Sequence, residues 1–466
     1  MKIVVANNIR IQQPDERIKE YAETNLVIEN PDYIRLKRLN KWTGNTPRYL
    51  VWYEINGDEL ILPFGCLGDL FKMYQLNIFE CRIITGKHVN YKSNINLFDY
   101  QQNVCDKAVL RKNGIIVMPA GSGKTQTALE IIARLKFKTL WITHTIDLLN
   151  QSYDRAKSNF ENIGLGKIAN GKIEIGTHIT FATVQTLSKI DLQEYADTWD
   201  CIIVDECHRV CGTPASAGMF YKVLNKLVAR YKYGLTATPF RNIKGTEKAM
   251  FSLLGDTIIE IDKSVVADRI IPATIHKITT NFDEIPDSCL EFDGTIKYST
   301  LTTVLSEDIE RNNIILNLLK QCKNNHTLVL ADRVGQMYYL QKKLGYGNVI
   351  DGKTNKNIRE NAIQEVRDGK EKVLFATYGL AKEGLDIPRL DRLILASPHK
   401  DKATIIQSIG RIERKFEGKE NPICYDLVDP IVYFQKIYKT RCSYYRKNNN
   451  KILELEEKEK WNIYIL

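Results

Sequence analysis

Two series of short apolar runs, each run followed by a stretch of helical periodicity, leave this chain few folds to choose from. The first series is 115–118, 140–143, 179–183, 201–204 and 233–236; the second is 327–331, 348–351, 372–377, 392–397 and 423–428. A strand that is apolar on both faces must be covered on both faces. Such strands, alternating with helices, therefore predict parallel sheets sandwiched between helical layers. Two series predict an α/β chain with two tandem doubly wound domains, their ligands at the carboxyl ends of the strands.

The length of 466 residues, at roughly 100–200 residues per domain, leaves room for a third region. Residues 1–92 supply it. Alternating runs on either side of Asn56-Gly57-Asp58 predict a hairpin and a β-rich accessory domain. The expected boundaries are 1–92, 93–262 for the first doubly wound domain, 263–440 for the second and 441–466 for a charged tail, with 262–305 a linker and irregular entry. A net charge of +10 favours a polyanionic partner. The ten cysteines contain no CxxC pair and are expected to be reduced thiols. No run approaches the roughly 18 apolar residues of a membrane span, and the start of the chain lacks a signal-peptide pattern. The chain reads as soluble and cytoplasmic, in a bacterium or a phage-infected host cell.

The segment MPAGSGKT, 118–125, lies between a strand and a helix. Gly121, Ser122 and Gly123 free backbone N–H groups to face phosphate oxygens, and the following helix adds its positive end. Lys124 would neutralise the outer phosphates and the Thr125 hydroxyl would ligate Mg²⁺. In CIIVDECH, 201–208, an apolar strand delivers Asp205 and Glu206 together. Buried adjacent carboxylates are costly unless a cation uses them. Asp205 is the expected Mg²⁺ ligand, and Glu206 the group that orients the attacking water.

These residues resemble superfamily 2 helicases. MPAGSGKT, DECH (205–208) and LTATP (235–239) resemble motifs I, II and III; ATYGLAKEGLDIP (376–388) resembles motif V and QSIGRIER (407–414) motif VI. FDYQQ (98–102) resembles the adenine-reading glutamine motif, while THTIDLLNQS (143–152) and FATVQTL (181–187) are similar to motifs Ia and Ic. GLGKIANGK (164–172), YKYGLTATPFR (231–241) and the β-rich front region resemble the XPB-like and UvsW-like branch, of the phage branch-migration kind.

The resemblance implies two RecA-like domains that share one ATP. Gln101 would read the base. Gln407, Arg411 and Arg414 would reach the terminal phosphate, the two arginines lying on one helix face at i and i+3. His208, Thr236 and Thr238 would relay between the ATP site and the strand side, with Gly384 and Asp386 near the nucleotide and Asp386 a ribose ligand. Strand contacts would come from Thr145, Thr183, Gln185, Arg333 and Thr377, mainly to phosphate, because a motor must cross any sequence. Arg35, Lys37, Arg38, Lys41 and Trp42 in the front region combine cations with an aromatic ring, the composition of a nucleic-acid surface; the competing reading is a solvated hairpin with its aromatics in the core. The expected activity is an ATP- and Mg²⁺-dependent DNA helicase or translocase, monomeric, working on forked or branched DNA beside other replication or recombination proteins. The alternatives are an RNA helicase, or a motor subunit or clamp of a restriction-type complex. Thr295-Ile296-Lys297 lacks the carboxylate that a PD-(D/E)xK nuclease needs, so no nuclease is expected.

Overall fold

In a computed structural model of the chain, the first apolar series forms the middle of an eight-stranded sheet. Its order is Lys172–Ile173, Leu165–Ala169, Ile179–Thr183, Thr139–Thr143, Cys201–Asp205, Tyr231–Thr236, Asn113–Val117, Thr257–Glu260. The structure describes residues 1–75, 78–83, 85–119, 121–237, 247–382, 385 and 387–454, with backbone only for 267–269, 382, 402 and 403. Every pair in this sheet is parallel except the outermost, Leu165–Ala169 with Lys172–Ile173. All residues of Thr139–Thr143, Ile179–Thr183, Cys201–Asp205 and Tyr231–Thr236 are buried, as strands covered on both faces must be. Because the strands are parallel, Val117, Thr143, Thr183, Asp205 and Thr236 all end at one edge. The outer hairpin turns on Asn170 and Gly171, with φ of +53° and +76°, the backbone of a two-residue β-turn.

The second series forms a seven-stranded, wholly parallel sheet. Its order is Asn348–Ile350, Val373–Thr377, Thr327–Ala331, Arg392–Leu395, Ile423–Val428, Thr274–Thr279, Ile452–Glu454. Two of these strands differ from the sequence expectation. Thr274–Thr279 lies in the region expected to be a linker, yet it pairs in register from Thr274 with Ile423 to Thr279 with Val428. Its polar and apolar residues mix because it is only half-buried, so it lacks a continuous apolar run. The boundary expected at 440 falls inside the helix Val432–Lys447. Arg441, 1 % exposed, forms an ion pair of 2.7 Å with buried Asp426, and Tyr445 donates to the same carboxylate at 2.6 Å. Residues 441–454 thus belong to the second sheet and its helical cover rather than to a tail.

Residues 1–83 build a five-stranded sheet, ordered Glu54–Asn56, Glu59–Pro63, Asn8–Gln12, Lys2–Val5, Phe79–Cys81. The expected hairpin is present, with Gly57 at φ +61° in its turn. Tyr49–Val51, by contrast, pairs with Val27–Glu29. Between the two segments Trp52 turns into the core and its Nε1 donates to Gly212 O at 2.8 Å, which splits the run. One apolar cluster runs from Ile3, Ile9 and Leu62 to Ile115, Val117 and Val204, so the front sheet shares its core with the first parallel sheet. The chain divides into two compact units, Met1–Pro119 with Gly123–Asp262, and Lys263–Leu466 with Ala120–Ser122. No helix among the described residues is long and apolar enough to cross a membrane.

Candidate active site

The strand Asn113–Val117 leads into the glycine turn. Met118 still belongs to the sheet: its N–H donates to Thr236 O at 3.0 Å and its side chain is fully buried. The loop that follows carries Gly121 and Gly123, both at φ +79°, a backbone that favours glycine. At Gly123 a Cβ would also come within 2.4 Å of the Gln101 Nε2, the movable end of that side chain, so the positive φ and not the space makes the demand. Gln101 is therefore packed against the loop, 1 % exposed, and its Oε1 accepts from the Phe98 N–H at 3.1 Å. Gly123 caps the helix Lys124–Leu135, whose first turn holds Thr125. The Lys124 ammonium donates to Met118 O at 3.2 Å and Pro119 O at 3.3 Å, which holds it over the loop.

The strand Cys201–Asp205 ends in the carboxylate pair. Asp205 is buried, and its Oδ1 accepts from the Glu206 N–H at 3.0 Å. Glu206 sits at φ +51° and ψ +48°, a left-handed conformation that a side chain of this size adopts at a cost of order 1–3 kcal/mol. Burial, together with the neighbouring Glu206 charge, pushes the Asp205 carboxyl above the ordinary carboxylate range. Glu206 is displaced the other way. Burial opposes its ionisation, but its hydrogen bond to His208 and the charges of His208 and Lys124 outweigh burial and hold it low. The Lys124 charge acts on both carboxylates, so the turn and the strand end form one electrostatic site. His208 Nδ1 stands 3.2 Å from Glu206 Oε2 and 3.1 Å from Thr236 Oγ1. Its imidazole thus bridges the carboxylate to the end of the next strand. Thr238 lies outside the described residues.

Arg155 was not anticipated from the sequence. It lies on the helix Ile146–Asn159, where burial disfavours its charge and the Asp205 carboxylate supports it. A cation beside the buried positions Ser152 and Ala156 was the available signal.

The residues expected to touch a strand have local partners as well. Thr145 caps the helix Ile146–Asn159, its Oγ1 3.4 Å from the Leu148 N–H. Thr183 Oγ1 lies 3.0 Å from Thr186 Oγ1, and Gln185 Nε2 donates to His144 O at 2.6 Å. That bond joins the loop after Thr139–Thr143 to the short helix Val184–Leu187 that follows the adjacent strand Ile179–Thr183. Near the amino end of the chain, Pro31–Arg38 is a helix with no buried residue, carrying Arg35, Lys37 and Arg38. Lys41 and Trp42 follow it, Trp42 89 % exposed and Tyr49 48 % exposed. Trp42 and Tyr49 face outward and Tyr33 is half-buried, so the segment forms a solvated helix and loop rather than a hairpin with these rings in the core.

In the second unit, Arg333 caps the helix Val334–Leu344 and donates to Thr303 Oγ1 at 3.0 Å and to Ser299 O and Oγ at 2.6 and 2.9 Å. Thr377 ends its strand half-buried. Gly384 and Asp386 lie outside the described residues. Gln407 is buried on the helix Lys402–Ile412, and Arg411 Nε donates to Ala381 O at 3.2 Å. The expected single helical face for Arg411 and Arg414 does not form. The helix ends at Ile412, Glu413 caps it, and Arg414 lies beyond in an antiparallel bridge to Ile270.

Comparison with known proteins gives two family matches: the res subunit of type III restriction enzymes over residues 94–241, and the helicase conserved C-terminal domain over 310–415. A putative ATP-dependent RNA helicase of Acanthamoeba polyphaga mimivirus is 29% identical over 365 residues, covering 76% of this chain and 68% of the relative. The DNA 3'-5' translocase XPB2 of Sulfurisphaera tokodaii is 28% identical over 364 residues, 70% of this chain and 80% of the relative. The ATP-dependent DNA helicase uvsW of Enterobacteria phage T4 is 24% identical over 432 residues, 83% of each. Among solved structures, S. cerevisiae Dbp5 bound to RNA and ADP BeF3 is similar in fold, with a TM-score of 0.57 at 14% identity over 78% of this chain and 91% of that one. With a phosphate turn and a carboxylate strand end on the first sheet, and the two matched domains following in order, the chain is an ATP-hydrolysing helicase of the superfamily 2 type, similar to the XPB and UvsW helicases.

Proposed function

We propose that this helicase couples ATP hydrolysis to movement on DNA and remodels forked or branched junctions. The observation that carries the reading is the His208 bridge between Glu206 and Thr236, a hydrogen-bonded route from the hydrolytic carboxylate to the neighbouring strand end. A change of charge or position at the terminal phosphate would alter that bond, and the loops beyond it can register the change.

In this account Gln101 reads the adenine, and Gly121, Ser122, Gly123 and Lys124 bind the phosphates. Buried Asp205 beside Lys124 suits a divalent cation, so Thr125 and Asp205 would hold Mg²⁺, which supplies charge neutralisation at the phosphates. Glu206, kept ionised, orients the attacking water. Arg411 and Arg414 supply positive charge to the transition state, with the Gln407 amide as a neutral hydrogen-bonding group beside them, and Asp386 contacts the ribose. His208, Thr236, Thr238 and Gly384 transmit the change. Thr145, Thr183, Gln185, Arg333 and Thr377 meet the strand through its backbone. The helix Pro31–Arg38 with Lys41 and exposed Trp42 selects the junction, its cations meeting phosphate and its ring stacking on an unpaired base. The protein acts as a monomer in the bacterial or infected-cell cytoplasm, alongside other replication or recombination proteins.

ATP hydrolysis should be measured with no nucleic acid, with linear duplex and with a four-way junction. The junction should stimulate most, and Trp42→Ala with Lys41→Ala should weaken junction binding by about 1–3 kcal/mol without changing the basal rate. Equal stimulation by duplex and junction would reject junction selection. The RNA helicase among the relatives supports a second reading, an RNA substrate. Competition between matched DNA and RNA strands decides it, and preference for RNA would overturn the DNA assignment.

A further inference from the structure

Glu413 stands between Arg411 and Arg414 and is 3 % exposed, a buried carboxylate to which the phosphate chemistry assigns no part. Three residues meet on it, two from the 263–273 segment and one near the end of the second sheet. Lys263 Nζ donates to both of its oxygens, at 2.9 and 2.7 Å, and to Asn448 O at 3.1 Å. The Ala273 N–H donates to Oε1 at 3.1 Å. Asn450 Nδ2 donates to the same oxygen at 2.8 Å and to Ala273 O at 3.0 Å. The backbone joins in, since the Ile271 N–H donates to Glu413 O at 2.7 Å and Arg414 bridges Ile270. On the other flank, the half-buried ammonium of Lys419 donates to Ile412 O at 2.6 Å, Arg414 O at 2.7 Å and Pro388 O at 3.2 Å.

We infer that Glu413 is a positioning residue, which fixes the backbone carrying Arg411 and Arg414 to the Lys263–Ala273 segment and to Asn450. Past Ile412 there is no helix to orient Arg414, so this carboxylate and Lys419 do so instead. A buried carboxylate that accepts four charged or N–H donor bonds holds a fixed position far better than a solvated loop would. Lys263 opens the second unit, so the stretch of chain that connects the two units is tied directly to the arginine segment. The inference rests on the reading that the arginines serve the terminal phosphate.

The test compares Glu413→Gln, Glu413→Ala, Lys263→Met, Lys263→Arg and Asn450→Ala with Arg411→Ala/Arg414→Ala in the full chain. The measurements are kcat, KM for ATP and the thermal midpoint. Glu413→Ala should lower kcat about 10- to 100-fold with KM for ATP little changed, the signature of misplaced transition-state groups. Lys263→Met and Asn450→Ala should each give a smaller loss in kcat, and Lys263→Arg should retain the rate. If Glu413→Ala does not fold, the two partner variants decide the matter. Wild-type kcat in Glu413→Ala, or in both partner variants, overturns the inference, as does a loss no larger than the loss of folded protein. If the double arginine variant also turns over normally, the phosphate reading itself fails; if it alone is inactive, only the positioning role is lost.

Discussion

Glu206 occupies a left-handed backbone position, and its carboxylate is held ionised by His208 and Lys124. A carboxylate placed so that it is charged despite burial is suited to ordering water and accepting its proton. Glu206→Gln keeps the shape and removes that capacity. It should lower ATP turnover by about 10²–10³-fold or more while a fluorescent ATP analogue still binds, whereas Lys124→Ala should lose both. Turnover within threefold of wild type in Glu206→Gln would exclude this role. The sequence made these residues legible because each motif is contiguous: a glycine turn, or two carboxylates ending a strand, carries its chemistry in adjacent positions. Arg155 and Glu413 were not legible. Their meaning comes from partners roughly 50 to 150 residues away along the chain, which no local spacing reveals.

The strand Tyr231–Thr236 carries an unusual passenger at the scale of elements. Lys232 is 1 % exposed, and among the described residues its Nζ meets Leu227 O at 3.1 Å and the Phe64 ring at 4.3 Å, with no carboxylate in an ion pair with it. Burial pushes its ammonium down to about 7. Between that value and the unfolded lysine value the unfolded chain binds one more proton, so stability rises with pH across this window. Below it, a charge must be kept inside the core. Lys232→Met should therefore raise stability at pH 6–7 by on the order of 1–3 kcal/mol, read as a higher thermal midpoint than the wild type's. The gap should narrow as pH approaches 9, and a gap that widens instead would contradict the assignment. Element type followed from the apolar runs wherever strands are covered on both faces. Thr274–Thr279 and Ile452–Glu454 escaped because they are only half-buried and mix polar with apolar residues, which leaves no continuous run. The end of the helix Lys402–Ile412 escaped for another reason: Glu413 at its C-cap position turns a buried carboxylate to Lys263, Ala273 and Asn450, partners that no local pattern reveals.

The whole molecule is less modular than its motifs suggest. The front sheet shares an apolar core with the first parallel sheet and is tied to it by the Trp52 bond to Gly212. Deleting residues 1–92 should therefore yield an insoluble or unfolded protein, by circular dichroism and sizing, rather than an active motor; a soluble truncation with normal ATPase would show the two to be independent. Point changes at Lys41 and Trp42 are the sounder way to test junction selection, since both side chains lie outside the core. The central claim is that hydrolysis on the first unit needs the arginines of the second and is driven by nucleic acid. The most direct measurement is steady-state ATP hydrolysis by the wild type and by Arg411→Ala/Arg414→Ala, each with and without four-way junction DNA. The account predicts strong stimulation of the wild type and a double variant that binds ATP but stays at background on DNA. A wild-type rate indifferent to nucleic acid, or a double variant that turns over normally, would contradict it.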